Sequence, residues 1–592
     1  MIPKKDIHSY AKPSDAVVKH LDLNLKVRFE ENRLEGIAEV KIERFNNADT
    51  LILDTKHLTI HEVKDAETGK QLAYEIGRFD KNLGSALQIN LDTNTKLVHV
   101  KYSTSNNAEA LQWLESGQTL NKKYPFLFTQ SQAILARTWI PIQDSPGIRF
   151  TYSAKVTVPK GLLALMSAEN PISKNETGIY SFTMPQPIPA YLMALSVGDL
   201  EFKSLGKRSG VYAEPAMVDK AAKEFADLEK MISAAEELYG EYKWGRYDLL
   251  VLPPSFPFGG MENPRLTFAT PTIIVGDKSL TSLVAHELAH SWSGNLTTNA
   301  TWNDFWLNEG FTVYFENRIM EKLYGKEYEE MLAFLGYQEL LNEIKDLGAT
   351  NPDTRLKLDL KGRNPDDGVT SIAYQKGNLF LRNIEAAVGR ARWDKFLNSY
   401  FEEFQFRTID TETFLNYLNA ELIKNYKGLE EKINAKEWIY EPGLPKSHPE
   451  LTSSKFEIIK KQSQNWIKTQ EIKSLNTSNW SSHEWVYFIN NLPEKLNSNQ
   501  LEMLDESFRL SQSNNPEIQF SWYLLSIKNN YLTAYPYIKD FLTNVGRRKF
   551  VLPLFKELVK TEAGKAFAQE VYKEARPLYH FVTMNSVDQL FM

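Results

Sequence analysis

The sequence contains no cysteine. That excludes disulfides, thiol nucleophiles and Cys-ligated metal sites, and it leaves His, Asp and Glu as the strong side-chain metal ligands. An excess of positive charge is also missing: 69 Lys and Arg stand against 75 Asp and Glu, a net charge of −6. No basic field is available to hold nucleic acid or an anionic membrane. Nowhere do 18 or more apolar residues run uninterrupted, so no membrane span is expected. The first residues, MIPKKDIHSYAKPSDAVV, lack the apolar core and the A-x-A site of a signal peptide. The expectation is a soluble cytoplasmic protein, with room for a leader already removed. What is present is ample: 592 residues, 42% hydrophobic and 12% aromatic. At roughly 150 residues per domain this predicts two to four domains with several cores, and it argues against disorder.

The first 200 residues read as β-structure. Leu21, Leu23, Leu25, Val27 and Phe29 alternate with polar residues, and the pattern resumes at Ile37, Val40 and Ile42. Residues 51–53, 86–89, 97–100 and 155–158 read as further strands, so an all-β domain is predicted, with edge strands of a larger mixed sheet as the alternative. The pattern changes near residue 205. Residues 219–239 predict a helix, residues 247–253 a buried strand, and helices dominate from 279 onward. Residues 425–449 are polar, with prolines at 442, 445 and 449, and read as a linker. Beyond 451 helix follows helix, for instance 519–527, 534–542 and 564–575, which suggests stacked helix pairs.

One motif carries chemistry. Residues 284–290 read V-A-H-E-L-A-H, which contains H-E-x-x-H. On a helix, His286 and His290 lie one turn apart on one face, where both imidazoles can reach one metal ion. Glu287 is placed to contact water rather than the metal. With ten His in 592 residues, about 0.01 chance matches are expected per chain. Leu280, Leu283 and Leu288 supply packing, and Gly294 reads as a helix stop. Hydrolytic zinc uses three protein ligands and one open position. Glu309, among Trp306, Phe311 and Tyr314 on the next helix, is the candidate third ligand, with Asn303 or Asp304 capping that helix. Glu316, on the same face, reads equally well as a partner of a ligand His or as a surface residue.

His286-Glu287-x-x-His290 followed by Asn308-Glu309 resembles the gluzincin zinc aminopeptidases. Gly259-Gly260-Met261-Glu262-Asn263 resembles their exopeptidase motif, G-x-M-E-N. More narrowly, residues 254–264 and 305–310 resemble the leukotriene A(4) hydrolase/aminopeptidase branch, and the similarity runs from about residue 16 to the C-terminus. The resemblance implies a multidomain α+β chain: an N-terminal β-sheet domain (1–203), a thermolysin-like zinc catalytic domain (204–445) and a C-terminal α-helical superhelix domain (446–592). It implies one Zn2+ per chain, held by His286, His290 and Glu309, and hydrolysis of the N-terminal bond of short peptides. Glu287 would act as general base and Tyr374 as oxyanion donor.

The same resemblance implies the substrate-binding residues. Glu262 and Gln132 would hold the free amine, alongside Gly259, Gly260 and Met261. The Gly pair lets backbone approach backbone on a strand edge. Asp366 would line the first side-chain pocket, and Arg547 and Lys549 would bind the peptide's far carboxylate. Read on their own, Glu262 is a turn residue, Asp366 an N-cap and the basic pair a solvated helix end. Two positions depart from the vertebrate branch, which has Tyr where this chain has Phe258 and Val369. They weigh against lipid-epoxide hydrolysis and leave the peptidase chemistry untouched. Partners are expected to be short peptides, with no nucleic acid and no membrane, and the oligomeric state is left open.

Overall fold

The computed structural model describes residues 3–592. Among them no α-helix occurs before Pro215, and the chain up to there is sheet and turn. The alternating strand Ala16–Arg28 sends Leu21, Leu23, Leu25 and Val27 inward. It pairs antiparallel with Arg33–Arg44 and parallel with Arg149–Thr157, at the middle of a six-stranded sheet. Four-stranded and three-stranded sheets complete this β-domain. The strands expected at 51–53, 86–89 and 97–100 fall inside observed ones, and that at 155–158 overlaps Arg149–Thr157, which stops one residue sooner.

The catalytic region opens with a five-stranded sheet. Its strands run in the order Glu201–Ser204, Ser209–Ala213, Tyr247–Val251, Leu266–Ala269 and Gly260–Met261. Gly260–Met261 is therefore an edge strand, with one side free to pair. Helices follow: α1 (Pro215–Glu224), α2 (Leu228–Tyr239), α3 (Ser282–Ala289), α4 (Trp306–Tyr324), α5 (Lys326–Leu347) and α6 (Gly377–Val388). The single helix expected at 219–239 is instead two. The break falls where Glu224 accepts hydrogen bonds from the backbone of Gly276 and Lys278, and Asp227 accepts from Lys278 Nζ. These long-range bonds hold the chain off the helical path.

α4 is buried on nearly every side, with 14 of its 19 residues in the interior. An all-round buried helix must satisfy its polar groups internally. Here Arg318 pairs with Asp394, Tyr314 with Glu385 and Asn308 with His290. The expected cap at Asn303 or Asp304 is not formed, and Phe305 occupies the N-cap without a side-chain bond. Asp304 is instead spent on Thr301, Thr411 and Lys357. The expected linker at 425–449 is also partly structured. Helices Leu429–Ile433 and Ala435–Tyr440 bury Ile433, Trp438 and Ile439 completely or nearly so. Their apolar residues outweigh the polar composition around them.

The C-terminal region is helical from Ser454 onward and stacks in two rows. Ser482–Asn490, Pro516–Lys528, Arg548–Leu558 and Phe581–Asp588 pack successively, while Tyr535–Asn544 and Glu562–Ala575 back them. The β-domain and catalytic region share one continuous apolar core, and the helical region has its own. Backbone bonds knit the latter to the cleft: Gly546 and Arg548 donate to the carbonyls of Pro254 and Pro257.

Candidate active site

α3 holds His286 within its last turn, and His290 sits at its C-cap, still in right-handed helical geometry. Gly294, expected as the stop, lies four residues later at φ +108°, where it reverses the chain toward α4. His286 Nε2 and His290 Nε2 lie 3.2 Å apart. Glu309 Oε2 is 3.4 Å from the first and 3.6 Å from the second. Ligand atoms about 2.0–2.1 Å from a tetrahedral zinc stand roughly 3.3–3.4 Å from one another. The three side chains therefore fit one zinc ion.

The far side of each imidazole is fixed. His286 Nδ1 lies 3.0 Å from Glu316 Oε2, so Glu316 is a partner of that histidine and not a surface residue. His290 Nδ1 lies 2.8 Å from Asn308 Oδ1, with Ser293 O and Thr312 Oγ1 both at 3.1 Å. Such bonds aim Nε2 at the metal position and select the tautomer that can ligate. Asn308 and Thr312 were not assigned these tasks from the sequence. Their spacing of four on α4, beside Glu309, is the signal that marks them.

The carboxylates around this centre suit a cation. Glu262, Glu287 and Glu309 are 4%, 5% and 3% exposed. Among the described residues no Lys or Arg pairs with them or with Glu316. Burial pushes the Glu287 carboxyl well above the usual range, and although His286 pulls it back, Glu262, Glu309 and Glu316 push it further. Burial likewise raises Glu262, while His290 opposes the shift. Burial alone would raise Glu309 too, but His290 and His286 outweigh it and hold it low. One oxygen on each of Glu262, Glu287 and Glu309 is buried without a partner. Glu262, Glu287 and His290 also cluster closely enough to hold an ion. That trio shares His290 with the first and has only one imidazole.

Tyr374 stands over the same centre. Its ring stacks on His286 at 6.2 Å and meets Phe305 edge-on at 6.1 Å. The residue lies in a π-turn, Ile372–Lys376, that leads into α6. π-Turns aim side chains that a regular helix would place elsewhere. What locates this turn is a contact of two glycines: a Cβ on Gly310 would stand 2.8 Å from the Gly377 Cα. Burial pushes the Tyr374 phenol far up, and Glu309 and Glu262 push it further, so it stays a donor.

The walls of the cleft come from three domains. On the edge strand, a Cβ on Gly260 would stand 2.2 Å from Glu287 Oε1. Glycine is required there for backbone and general-base candidate to lie together. Met261 receives a bond from Gln130 Nε2 at 3.2 Å, which brings the β-domain loop carrying Gln132 against the G-x-M-E-N segment. Asn295 donates to the Glu262 backbone carbonyl at 2.7 Å and fixes the segment from the other side. Asp366 is an exposed residue and accepts from the Ala133 backbone, next to Gln132. Surrounding protein desolvates it and pushes its carboxyl up to about 6. Asp366 is not the cap of its turn, because the Asn364 side chain takes that place.

Arg547 lies at the opposite end. It is buried, rests against Gly259 and donates to Thr272 Oγ1 at 3.1 Å. Lys549 is half-exposed and pairs with Glu517 through bonds of 2.7 and 2.9 Å. Phe258, at the mouth, packs edge-on to Phe256 at 5.9 Å, and Val369 is exposed.

Comparison with known proteins agrees with this architecture. Residues 17–192 match the Peptidase M1 N-terminal domain, residues 224–435 the Peptidase family M1 domain, and residues 480–591 the leukotriene A4 hydrolase C-terminal domain. Leukotriene A-4 hydrolase of Xenopus laevis is 37% identical over 98% of this chain and 98% of its own length. Leucine aminopeptidase 2 of Yarrowia lipolytica is 37% identical over 95% of this chain and 90% of its own. The structure of yeast LTA4 hydrolase in complex with bestatin superposes with a TM-score of 0.93 at 32% identity, covering 100% of this chain and 98% of that one.

Proposed function

The chain belongs to the M1 peptidase family, with the C-terminal domain of leukotriene A4 hydrolase, and from that premise we propose how its own residues do the work of a zinc aminopeptidase. It is a zinc enzyme that removes residues from peptide N-termini. The observation that carries the residue assignment is the set of three buried carboxylate oxygens without partners, on Glu262, Glu287 and Glu309, around two aligned imidazoles.

His286, His290 and Glu309 would hold the zinc. When bound, zinc supplies Lewis acidity: it polarises a carbonyl and lowers the pKa of water to about 7. Glu262, with Gln132, receives the substrate's ammonium, so the enzyme counts one residue from the terminus. The substrate backbone pairs along the free edge of Gly260–Met261. Glu287, against that strand, takes a proton from the attacking water and delivers it to the leaving amine. Tyr374 donates a hydrogen bond from its hydroxyl to the oxygen that becomes negative in the transition state, keeping its proton. Asp366 lines the pocket for the first side chain, and Arg547 meets the carboxylate of a short peptide, supported by Lys549. A cytoplasmic location is part of the same proposal, and subcellular fractionation tests it.

The decisive assay is release of aminocoumarin from aminoacyl-coumarin substrates, before and after metal removal. Chelation is expected to abolish turnover and zinc to restore it, with N-acetylated substrates inert throughout. Turnover of the N-acetylated peptides would remove Glu262 from the role of amine receptor. The name of the Xenopus relative raises a second reading, hydrolysis of a lipid epoxide, and leukotriene A4 itself is the test substrate.

A further inference from the structure

Arg547 is 9% exposed and carries five N–H donors. Nη1 donates to Thr272 Oγ1 at 3.1 Å, and Glu517 Oε1 lies 3.7 Å from the same nitrogen. Nε is buried with no partner. Nη2 lies 3.0 Å from where a Cβ on Gly259 would stand. Nε is thus enclosed, while Nη2 makes no hydrogen bond and stands beside Gly259, next to the strand that borders Glu287. A guanidinium nitrogen so placed can donate a charge-assisted bond to a carboxylate.

The occupied corner is itself built. Thr272 is held by Thr270, whose hydroxyl lies 3.0 Å from its own. Glu517 sits in the first turn of Pro516–Lys528, where Asn515 caps the helix. Both Glu517 oxygens accept from Lys549 Nζ, at 2.7 and 2.9 Å. Burial alone would raise the Glu517 carboxyl, but Lys549 and Arg547 hold it low and ionised. His483, also near Glu517, is driven down to about 4 by burial and stays neutral, with Glu484 and Asp277 on its other sides. Glu517 itself stands between the positive charges of Arg547 and Lys549. Lys549 is 53% exposed on its side chain and spent on Glu517.

We propose that Glu517 and Thr272 are positioning residues for recognition of a peptide's C-terminal carboxylate. By occupying the Nη1 corner of Arg547 they leave its Nη2 to the substrate, and Lys549 acts through Glu517. The proposal rests on the reading of Arg547 as carboxylate anchor.

The test compares one tripeptide as free acid and as C-terminal amide, with the zinc-loaded enzyme. Glu517→Gln is expected to raise KM for the acid about tenfold, with kcat nearly unchanged and KM for the amide unmoved. Thr272→Val should act in the same direction by about threefold, since it removes one neutral hydrogen bond. A general loss of structure would move both substrates and kcat together. An unchanged or lowered KM for the acid, or an equal rise for the amide, overturns the proposal. Should Glu517→Gln fail to fold, Thr272→Val decides, because it exchanges a hydroxyl for a methyl of similar shape. Arg547→Ala is run in parallel. If it fails to separate acid from amide, the anchor reading falls and this proposal with it. If it separates them while Glu517→Gln and Thr272→Val do not, only the positioning roles fall.

Discussion

His286, Glu287, His290 and Glu309 lie on two successive elements of one domain, α3 and α4, and the non-ligating nitrogen of each histidine is already bonded to protein. Gln132, Glu262, Asp366 and Arg547 come from three domains, and Glu262 keeps a carboxylate oxygen, as Arg547 keeps Nη2, without a protein partner. The first group is finished before any substrate arrives. The second is a set of separate walls that a peptide completes. Errors at the metal end should therefore abolish chemistry on every substrate, whereas errors in the walls should sort substrates by their ends.

The largest expected effect tests the metal end. Glu287→Gln should keep about one zinc per chain and lose turnover by about 10⁴-fold, the upper range for a general base. Glu309→Gln should lose zinc itself, read by elemental analysis of dialysed protein. Equal metal loss in both variants would break the distinction between ligand and base. Tyr374→Phe comes next. It removes one donor to charge that exists only in the transition state, so kcat should fall about 10²–10³-fold, roughly 3–4 kcal/mol, with little change in KM. A change in KM alone would move Tyr374 from the metal end to the walls.

Smaller effects belong to the walls. Arg547→Ala should lower kcat/KM about ten- to a hundred-fold for a tripeptide, the worth of one charge-assisted pair, and hardly at all for an aminoacyl-coumarin, which has no carboxylate. Glu262→Ala should damage both, because both present an amine. The smallest effect is at Asp366, exposed at the surface yet pushed up to about 6 by the desolvating protein around it. Below that pH the group is neutral in the folded protein, and above it the charge is available. Preference for an N-terminal Arg over a neutral residue should therefore rise about two- to fivefold as pH passes through 6, a modest gain because the carboxylate is solvent-accessible. Asp366→Asn should flatten the profile. Linkage runs the opposite way for stability. The folded state binds the extra proton, so this group's contribution declines as pH rises from about 4 to 6.

The metal end was legible because its spacing is local: H-E-x-x-H is a helix-turn statement, and Glu309 among aromatics declares its burial. The β-strands were legible for the same reason, through alternation. Glu316 could not be decided from sequence, since a surface carboxylate and a histidine partner share one helical position. Thr272 and Glu517 were invisible. Their meaning depends on Arg547, which meets Glu517 through the packing of two helices of its own domain and Thr272 only where that domain docks on the Pro254–Pro257 segment. The break between α1 and α2, and the burial of Trp438 and Ile439, were hidden likewise, because long-range bonds and packing overrode local composition.

The Gly310–Gly377 crossing joins the two plans mechanically. Glu309 is the neighbour of one glycine, and the turn bearing Tyr374 ends at the other, with backbone against backbone between them. The crossing works as a common fulcrum. Any tilt of α4 that displaces the carboxylate carries the phenol with it, while the pocket walls hang from other supports. Side chains around the cleft can then be exchanged, and new peptide ends accommodated, without re-setting the spacing between the group that would hold the metal and the group that would meet the oxyanion.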